Sequence, residues 1–259
     1  MRKPCFVLFL LAWAASSAAL WVIVEPAVVS WIDSVLVLMA TASTLLRLVR
    51  RLPLQNVLMA ALVIAFISAG AVWIGAISGW PFGSFGFTER LGAKLFGTVP
   101  WPIPLLWIVI ILNARAVAEL ILKPWRRAEL YGYAVLGVAC LLAVLLDLGL
   151  EPFAVQVKAF WIWNSTPSTL PWHTAPWVNF LGWIVISLMG LVLSVPWLIN
   201  KRPVQETSDL QPLFLWSLLN VWLALGHAAH QLWSPFVLTV VGGVTVLMLA
   251  ARGVRCDMK

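Results

Sequence analysis

The chain has 259 residues, of which 62% are hydrophobic and only 10% are charged, and its mean hydropathy is +0.97. A water-soluble domain of this size could not cover its surface with polar side chains from such a composition, so a soluble globular protein is excluded. The composition instead predicts a single integral membrane domain over residues 1–259.

Eight apolar stretches follow one another along the chain, and most are close to the length of about 20 residues that a helix needs to cross hydrocarbon. The seventh stretch is short, and its outer end is expected to continue through His227 toward Trp233. The pattern predicts an all-α fold, a polytopic bundle of about eight transmembrane helices. The stretches cover residues 6–24, 27–46, 54–77, 103–122, 132–150, 178–199, 212–225 and 236–251.

The basic residues fall in alternate gaps between these stretches. Thirteen of the seventeen Lys and Arg residues lie before the first stretch, in every second gap, or after the last stretch. By the positive-inside rule these gaps are cytoplasmic, and both termini lie with them on the inner side of the cell membrane. Topology therefore accounts for the net charge of +7, and nucleic acid is not an expected partner.

The first apolar stretch has a second interpretation as a secretory signal. Arg2 and Lys3 precede an apolar segment that ends in the small residues 14–18. Cleavage of such a segment would leave seven helices and place the new N-terminus on the outer side.

Two long connections on the outer side, residues 78–102 and 151–177, are rich in aromatic residues, Gly and Pro. Tryptophan favours the membrane interface, because its ring is apolar while its N–H needs a partner, so part of this content is explained as an anchoring belt. Irregular backbone at membrane depth, however, must be buried by protein or line a cavity. We expect both loops to lie at the outer interface and to cover a pocket.

Carboxylates near the outer helix ends are the strongest candidates for chemistry, because ionisable groups at hydrocarbon depth are costly and usually functional. Asp33 lies about two turns into its helix, and Asp147 lies about one turn from the end of its own. Asp147 and Glu151 share a helix face at four-residue spacing, and two crowded carboxylates are expected to retain a proton near neutral pH, as a general acid must. The alternative is that Glu151 is solvated and only Asp147 is buried.

Other polar residues within the spans have structural interpretations. Arg115 and Glu119, again four residues apart, are predicted to form a salt bridge with Asn113 as a further partner. His227 and His230 have the spacing of two metal ligands on one turn, but no third ligand is evident, so hydrogen bonding or proton relay is preferred. No metal site is predicted, and the common nucleotide, hydrolase and metalloprotease motifs are absent from the sequence.

A combination of short motifs spans roughly residues 80–183. In the first loop these are Pro81-Phe82-Gly83 with Phe85 and Phe87, then Leu91-Gly92 and Val99-Pro100, and just after the loop comes Pro104-Leu105. Further along come Asp147, Glu151-Pro152, Ala154-Val155, Trp161-Ile162-Trp163 and Asn179-Phe180-Leu181-Gly182-Trp183. Together they resemble the membrane-bound carotenoid biosynthesis family that includes the CruF-type carotenoid hydratases.

The chain also departs from that family pattern. Members often carry Tyr where this chain has Phe85 and Phe87, and Asp where it has Glu151. They also show a Tyr-Tyr-Gly stretch in place of Pro171-Trp172-His173. The lost phenol groups affect how water or a polar end group would be held.

The resemblance implies that water is added across the terminal carbon–carbon double bond of an acyclic carotenoid, in the membrane and without a cofactor. Asp147 or Glu151 would protonate the alkene, and Asp33 or Glu89 would position water and accept its proton. The ring faces of Trp80, Phe82, Trp161 and Trp163 would stabilise the tertiary cation. The substrate-binding set is completed by Phe85, Phe87 and Asn179.

Two alternatives stay open. A carotenoid or isoprenoid cyclase begins with the same protonation but then loses a proton, so its product keeps the substrate's mass. A non-enzymatic, proton-coupled lipid transporter would need acids throughout the membrane depth, whereas the intramembrane acids other than Glu119 lie near the outer end. Besides the polyene, water and lipids, other enzymes of carotenoid synthesis are candidate partners.

Overall fold

The computed structural model describes residues 3–22, 26–164, 172–199 and 209–255. The predicted all-α bundle is confirmed, and each helix coincides with one predicted apolar stretch. The eight helices within the described residues are α1 (Lys3–Ala18), α2 (Pro26–Leu48), α3 (Leu54–Ser78), α4 (Pro102–Ile121), α5 (Tyr131–Pro152), α6 (Trp177–Leu198), α7 (Gln211–Ala229) and α8 (Trp233–Arg255).

Seven helices in the described part of the chain, α2 to α8, are long and apolar enough to cross a membrane, which indicates a multi-pass membrane protein. Helix α1 is shorter than predicted, because it ends at Ala18 and a turn follows. It packs on α2 and α7, where Trp13 Nε1 donates a hydrogen bond to the carbonyl of Leu218 (2.7 Å). The predicted extension of α7 through His227 is confirmed.

Helix α4 lies at the centre of the bundle and packs against α2, α3, α5, α7 and α8. It is apolar on nearly all sides, as expected for a helix without a solvent-facing surface. Asn113 in its middle donates hydrogen bonds to Thr44 Oγ1 and to the Val109 carbonyl, both at 2.8 Å. The predicted contact of Asn113 with Arg115 and Glu119 is therefore wrong, since its amide nitrogen is turned to α2.

Basic side chains gather at one end of the bundle. Arg47, at the end of α2, is buried and forms a salt bridge with Asp209, just before α7 (3.3 Å). Arg252, near the end of α8, lies over the ring of Trp125 between α4 and α5, 5.8 Å from its centre. At this end, opposite the two aromatic loops, the end of α2 thus meets the start of α7, and the end of α8 meets the connection between α4 and α5.

The two aromatic loops contain short β-strands that the sequence analysis did not predict. They are β1 (Phe85–Phe87), β2 (Lys94–Leu95), β3 (Val99–Pro100) and β4 (Trp161–Trp163). Strands β1 and β4 pair antiparallel, with Phe85 opposite Trp163 and Phe87 opposite Trp161. Because strand side chains alternate between faces, these four rings lie on one side of the pair. One loop thus holds the other in place.

Helix α5 does not stop at Pro152 but continues into a π-helical turn, Phe153–Val157. Proline removes an N–H from the helical ladder, and such widened turns accommodate the resulting irregularity. The buried ring of Phe153 packs on Trp222 of α7, with 4.3 Å between ring centres. This turn fixes the position of Lys158, which follows it, and then leads into β4.

Candidate active site

Asp147 and Glu151 lie together on α5 and are bridged by one residue of α6. Asn179 Nδ2 donates hydrogen bonds to Asp147 Oδ2 (2.9 Å) and to Glu151 Oε1 (3.0 Å). All three side chains are buried, with exposures of 0%, 3% and 2% for Asp147, Glu151 and Asn179. Glu151 is therefore not solvated at a helix end, and the alternative in which only Asp147 is buried does not hold.

The second oxygen of Glu151 accepts two further hydrogen bonds, both from tryptophans of β4. Trp161 Nε1 lies 3.1 Å and Trp163 Nε1 3.0 Å from Glu151 Oε2. Since residues two apart in a strand point to the same side, this strand aims both indoles at one carboxylate. These tryptophans were predicted to present their ring faces, whereas in the structure their N–H groups donate to Glu151.

Glu151 and Asn179 border a cavity of about 50 Å³ beneath the paired loops, here called the aromatic cavity. Four of its rings come from β1 and β4 and one from the start of the first loop. Trp107 of α4 and Trp183 of α6 were not predicted as site residues, and they stack with ring centres 4.1 Å apart. The aromatic lining comprises Phe82, Phe85, Phe87, Trp107, Trp161, Trp163 and Trp183.

Phe82 is held between two glycines of neighbouring helices. A Cβ atom on Gly75 of α3 would lie 2.8 Å from Phe82 Cδ2, and one on Gly182 of α6 would lie 2.6 Å from Phe82 Cδ1. Carbon atoms do not approach this closely without a shift of one partner, so only glycine leaves room for the ring. The close contact of α3 with α6 thus fixes one wall of the aromatic cavity.

Asp33 is buried but belongs to a second site. Lys158 Nζ lies 2.9 Å from Asp33 Oδ2 and 3.2 Å from Oδ1, and Ser16 of α1 donates a hydrogen bond to Oδ1. Lys158 is itself buried, near the rings of Phe153 and Trp222. Lys158 was not a predicted site residue, although it is one of the few basic residues in the outer loops, which was the available signal.

Asp33 borders a smaller cavity of about 30 Å³, here called the end cavity. It lies among α2, α4, α5 and α7, and its other lining residues are mainly aliphatic or aromatic. Leu106, Leu150 and Trp161 line both this cavity and the aromatic cavity, so the two are neighbours. The predicted acids are therefore divided: Glu151, bridged to Asp147, lines the aromatic cavity, whereas Asp33 lines the end cavity.

Two predicted site residues lie away from both cavities. Trp80 is 68% exposed, and the side chain of Glu89 is 81% exposed. Glu89 forms a salt bridge with Lys94 (2.7 Å), which also donates to the carbonyl of Phe87. Arg115 and Glu119 form a salt bridge within α4 (2.9 Å). The structure brings none of these four to the carboxylate pair.

The histidines near this end of the bundle secure the second loop and α7. Buried His227 places Nε2 3.0 Å from the carbonyl of Gly149 on α5. His173 Nε2 lies 3.1 Å from Ser234 Oγ at the start of α8, and partial burial lowers the pKa of His173. Trp172 Nε1 donates to the carbonyl of Leu148 (2.8 Å). Among the described residues, no group of three or more His, Cys, Asp or Glu could hold a metal ion.

The fold and site define a polytopic membrane protein with buried carboxylates beneath an aromatic lid. The family model described as "Carotenoid biosynthesis protein" matches residues 32–246. The chain belongs to this carotenoid biosynthesis protein family, which confirms the resemblance of its two loops.

Among curated proteins, the chain is similar to the bisanhydrobacterioruberin hydratase of Haloarcula japonica. The two are 27% identical over 191 residues, which cover 73% of this chain and 62% of the relative. The chain thus spans less than two thirds of that relative's length. No solved structure matches the chain significantly.

Proposed function

We propose that this protein is a carotenoid hydratase that adds water across the terminal carbon–carbon double bond of an acyclic carotenoid end group. One observation carries the proposal: Glu151, bridged to Asp147 by a single amide, borders a cavity lined by seven aromatic residues. Membership of the carotenoid biosynthesis family supports the substrate class, and the similarity to a hydratase supports the reaction.

The first step is proton transfer from the carboxylate pair. Two adjacent buried carboxylates repel each other when both are charged, so we propose that the pair holds one proton in common. Glu151 borders the cavity, whereas Asp147 lies about one turn deeper on α5, so Glu151 is the member that delivers the proton. The π electrons of the alkene form the new C–H bond, and a tertiary carbocation remains at the neighbouring carbon.

The second step is capture of the cation by water. The faces of Phe82, Phe85 and Phe87 carry negative potential and can each stabilise a desolvated cation by about 2 kcal/mol. A lone pair of water forms the C–O bond, and the extra proton of the resulting oxonium returns to the Glu151 carboxylate. The sum is addition of one water without any change of oxidation state, so the reaction requires no redox cofactor.

Trp161 and Trp163 have a different role in this scheme. Their N–H groups hold Oε2 of Glu151, and such hydrogen bonds stabilise the carboxylate that forms when the proton leaves. Asn179 likewise holds the carboxylates of Asp147 and Glu151 side by side, because its amide donates to both. We assign no catalytic step to Glu89, which is exposed, or to Asp33, whose carboxylate is already engaged by Lys158 and Ser16.

We also propose that the basic end of the bundle faces the cytoplasm and that both termini lie on that side of the cell membrane. The clustering of Arg47, Trp125 and Arg252 contacts at one end supports this orientation. The reacting end of the carotenoid would then lie near the outer interface, where water is accessible. Reporter fusions to the loops at each end of the bundle test the orientation.

Pigment analysis tests the reaction itself. The chain is expressed in a host that accumulates acyclic carotenoids. The pigments are then separated, and their masses are measured by mass spectrometry. A product heavier by one water, with its oxygen taken from heavy-oxygen water, is the expected result. A new pigment of unchanged mass would instead indicate a cyclase, and unchanged pigments would contradict both activities.

A further inference from the structure

The end cavity continues the aromatic cavity into the bundle. Leu106, Leu150 and Trp161 line both hollows, so these side chains form the boundary between them. The aromatic cavity lies beneath the paired loops, and the end cavity lies mainly among α2, α4, α5 and α7. A chain that entered through the aromatic cavity would reach the end cavity last.

The chemistry of the end cavity suits an apolar group. Leu36, Val37 and Ala40 of α2 and Leu219 of α7 form much of its lining. Both oxygens of Asp33 already face Lys158, and Ser16 donates to one of them. A buried water needs two to four polar partners, whereas cavities without them stay dry and accept apolar groups. The Asp33–Lys158 ion pair therefore lies at one side of the end cavity, and the rest of the lining is apolar.

We propose that the end cavity is a terminal subsite that binds the branched methyl end of an isoprenoid chain. This inference rests on the proposed function and adds to it the part of the substrate that lies beyond the reacting bond. With the two terminal methyl groups in the end cavity, the last double bond lies at the boundary formed by Leu150 and Trp161. Glu151 follows Leu150 directly in α5 and accepts a hydrogen bond from the Trp161 N–H, which places its carboxyl beside two residues of that boundary.

The size of the end cavity then limits the end group that can react. About 30 Å³ is room for small alkyl groups, and Leu36 and Ala40 form its wall on α2. An additional methylene in a closed hydrophobic pocket changes discrimination by about 10- to 200-fold. The subsite would therefore distinguish a terminal dimethyl group from one in which a methyl is replaced by ethyl.

A competition between two synthetic acyclic polyenes tests the subsite. One carries the normal dimethyl end and the other an ethyl in place of one methyl, and both give a tertiary cation on protonation. The ratio of the two hydrated products is measured in one reaction, so it does not depend on the amount of folded protein. We expect the full-length wild-type chain to favour the dimethyl polyene by at least about tenfold.

Three variants complete the test. Leu36→Ala enlarges the cavity and should bring the ratio toward one, whereas Ala40→Val narrows it and should raise the ratio. Leu38→Ala is the matched control, because Leu38 lies on the same helix but is 39% exposed and lines neither cavity. It should keep the wild-type ratio.

The possible failures are distinguishable. If wild type hydrates both polyenes and neither Leu36→Ala nor Ala40→Val changes the ratio, the terminal subsite is wrong and the proposed function stands. If Leu38→Ala changes the ratio as much as Leu36→Ala, the end cavity is likewise not the site of selection. If wild type hydrates neither polyene, the proposed function is wrong and the subsite falls with it.

Discussion

Lys158 and Asp33 form a buried ion pair, with 2.9 Å between Nζ and Oδ2, although 125 residues separate them in the chain. Asp33 lies in α2, and Lys158 follows the π-helical turn after α5. Ser16 of α1 donates to the same carboxylate, so three distant segments meet at one charge. Removal of either ion leaves the other buried without compensation.

Asp33→Asn should destabilise the protein by about 3–5 kcal/mol, because the ammonium of Lys158 loses its counter-charge in the interior. The double variant Asp33→Asn with Lys158→Gln should lose less than the sum of the two single variants. Thermal unfolding of the detergent-solubilised protein measures these differences. Glu89→Gln removes an exposed partner of Lys94 and serves as the control, with little effect expected. Equal losses for Asp33→Asn and Glu89→Gln would contradict the prediction.

Glu151→Gln should lower hydration by about 10²- to 10⁴-fold, since an amide of similar shape cannot deliver a proton. Asp147→Asn should also reduce it strongly, because the pair no longer shares a proton. The yield of hydrated pigment per amount of membrane-inserted protein is the measurement. Glu119→Gln, at the salt bridge with Arg115 in α4, should keep activity. An active Glu151→Gln beside an inactive Asp147→Asn would make Asp147 the proton donor instead.

Replacement of Trp161 or Trp163 by Phe separates the two roles considered for these residues. Phenylalanine keeps an aromatic face but has no N–H for Glu151 Oε2. Loss of a hydrogen bond to a charged group costs about 1.5–3 kcal/mol, so kcat should fall by about tenfold or more with little change in KM. Trp177→Phe, at an exposed tryptophan, is the control. A higher KM at unchanged kcat would favour ring-face binding of the substrate.

Gly182→Ala should destabilise the protein by about 1–3 kcal/mol, because the new methyl group would collide with the Phe82 ring. The yield of the hydrated carotenoid should also fall, because the displaced ring of Phe82 would move into the aromatic cavity. Gly137→Ala in α5 meets no atom within 4 Å and should be neutral or gain up to about 1 kcal/mol from helix propensity. Thermal unfolding and pigment yield report the two effects, and similar behaviour of both variants would argue against a fixed Phe82.

Much of this architecture could be predicted from the sequence because membrane helices are encoded locally. Apolar length alone located the eight helices, and four-residue spacing placed Asp147 beside Glu151. The position of an acidic residue in the sequence, however, does not show which acidic residues share a site. Asp33 and Glu89 were both predicted to position water, yet Asp33 is buried against Lys158 and Glu89 is exposed with Lys94.

The tryptophans show a second limit of sequence reasoning. Composition shows that a ring is present but not whether its face or its N–H meets the site, which depends on strand pairing across loops. Trp161 and Trp163 therefore proved to be donors. Trp107 and Trp183 line the aromatic cavity although neither was a predicted site residue, whereas the predicted Trp80 is exposed.

In the proposed reaction, the pairing of β1 with β4 affects how a long polyene would reach the aromatic cavity. Strand β4, which helps to cover the aromatic cavity, also carries Trp161 and Trp163, whose N–H groups donate to Glu151. If the paired strands moved away to admit a substrate, Glu151 would lose both of these hydrogen bonds as the substrate entered. Lateral entry from the bilayer, between helices, would leave the paired strands in place. Glu151 would then keep both hydrogen bonds while the apolar substrate enters.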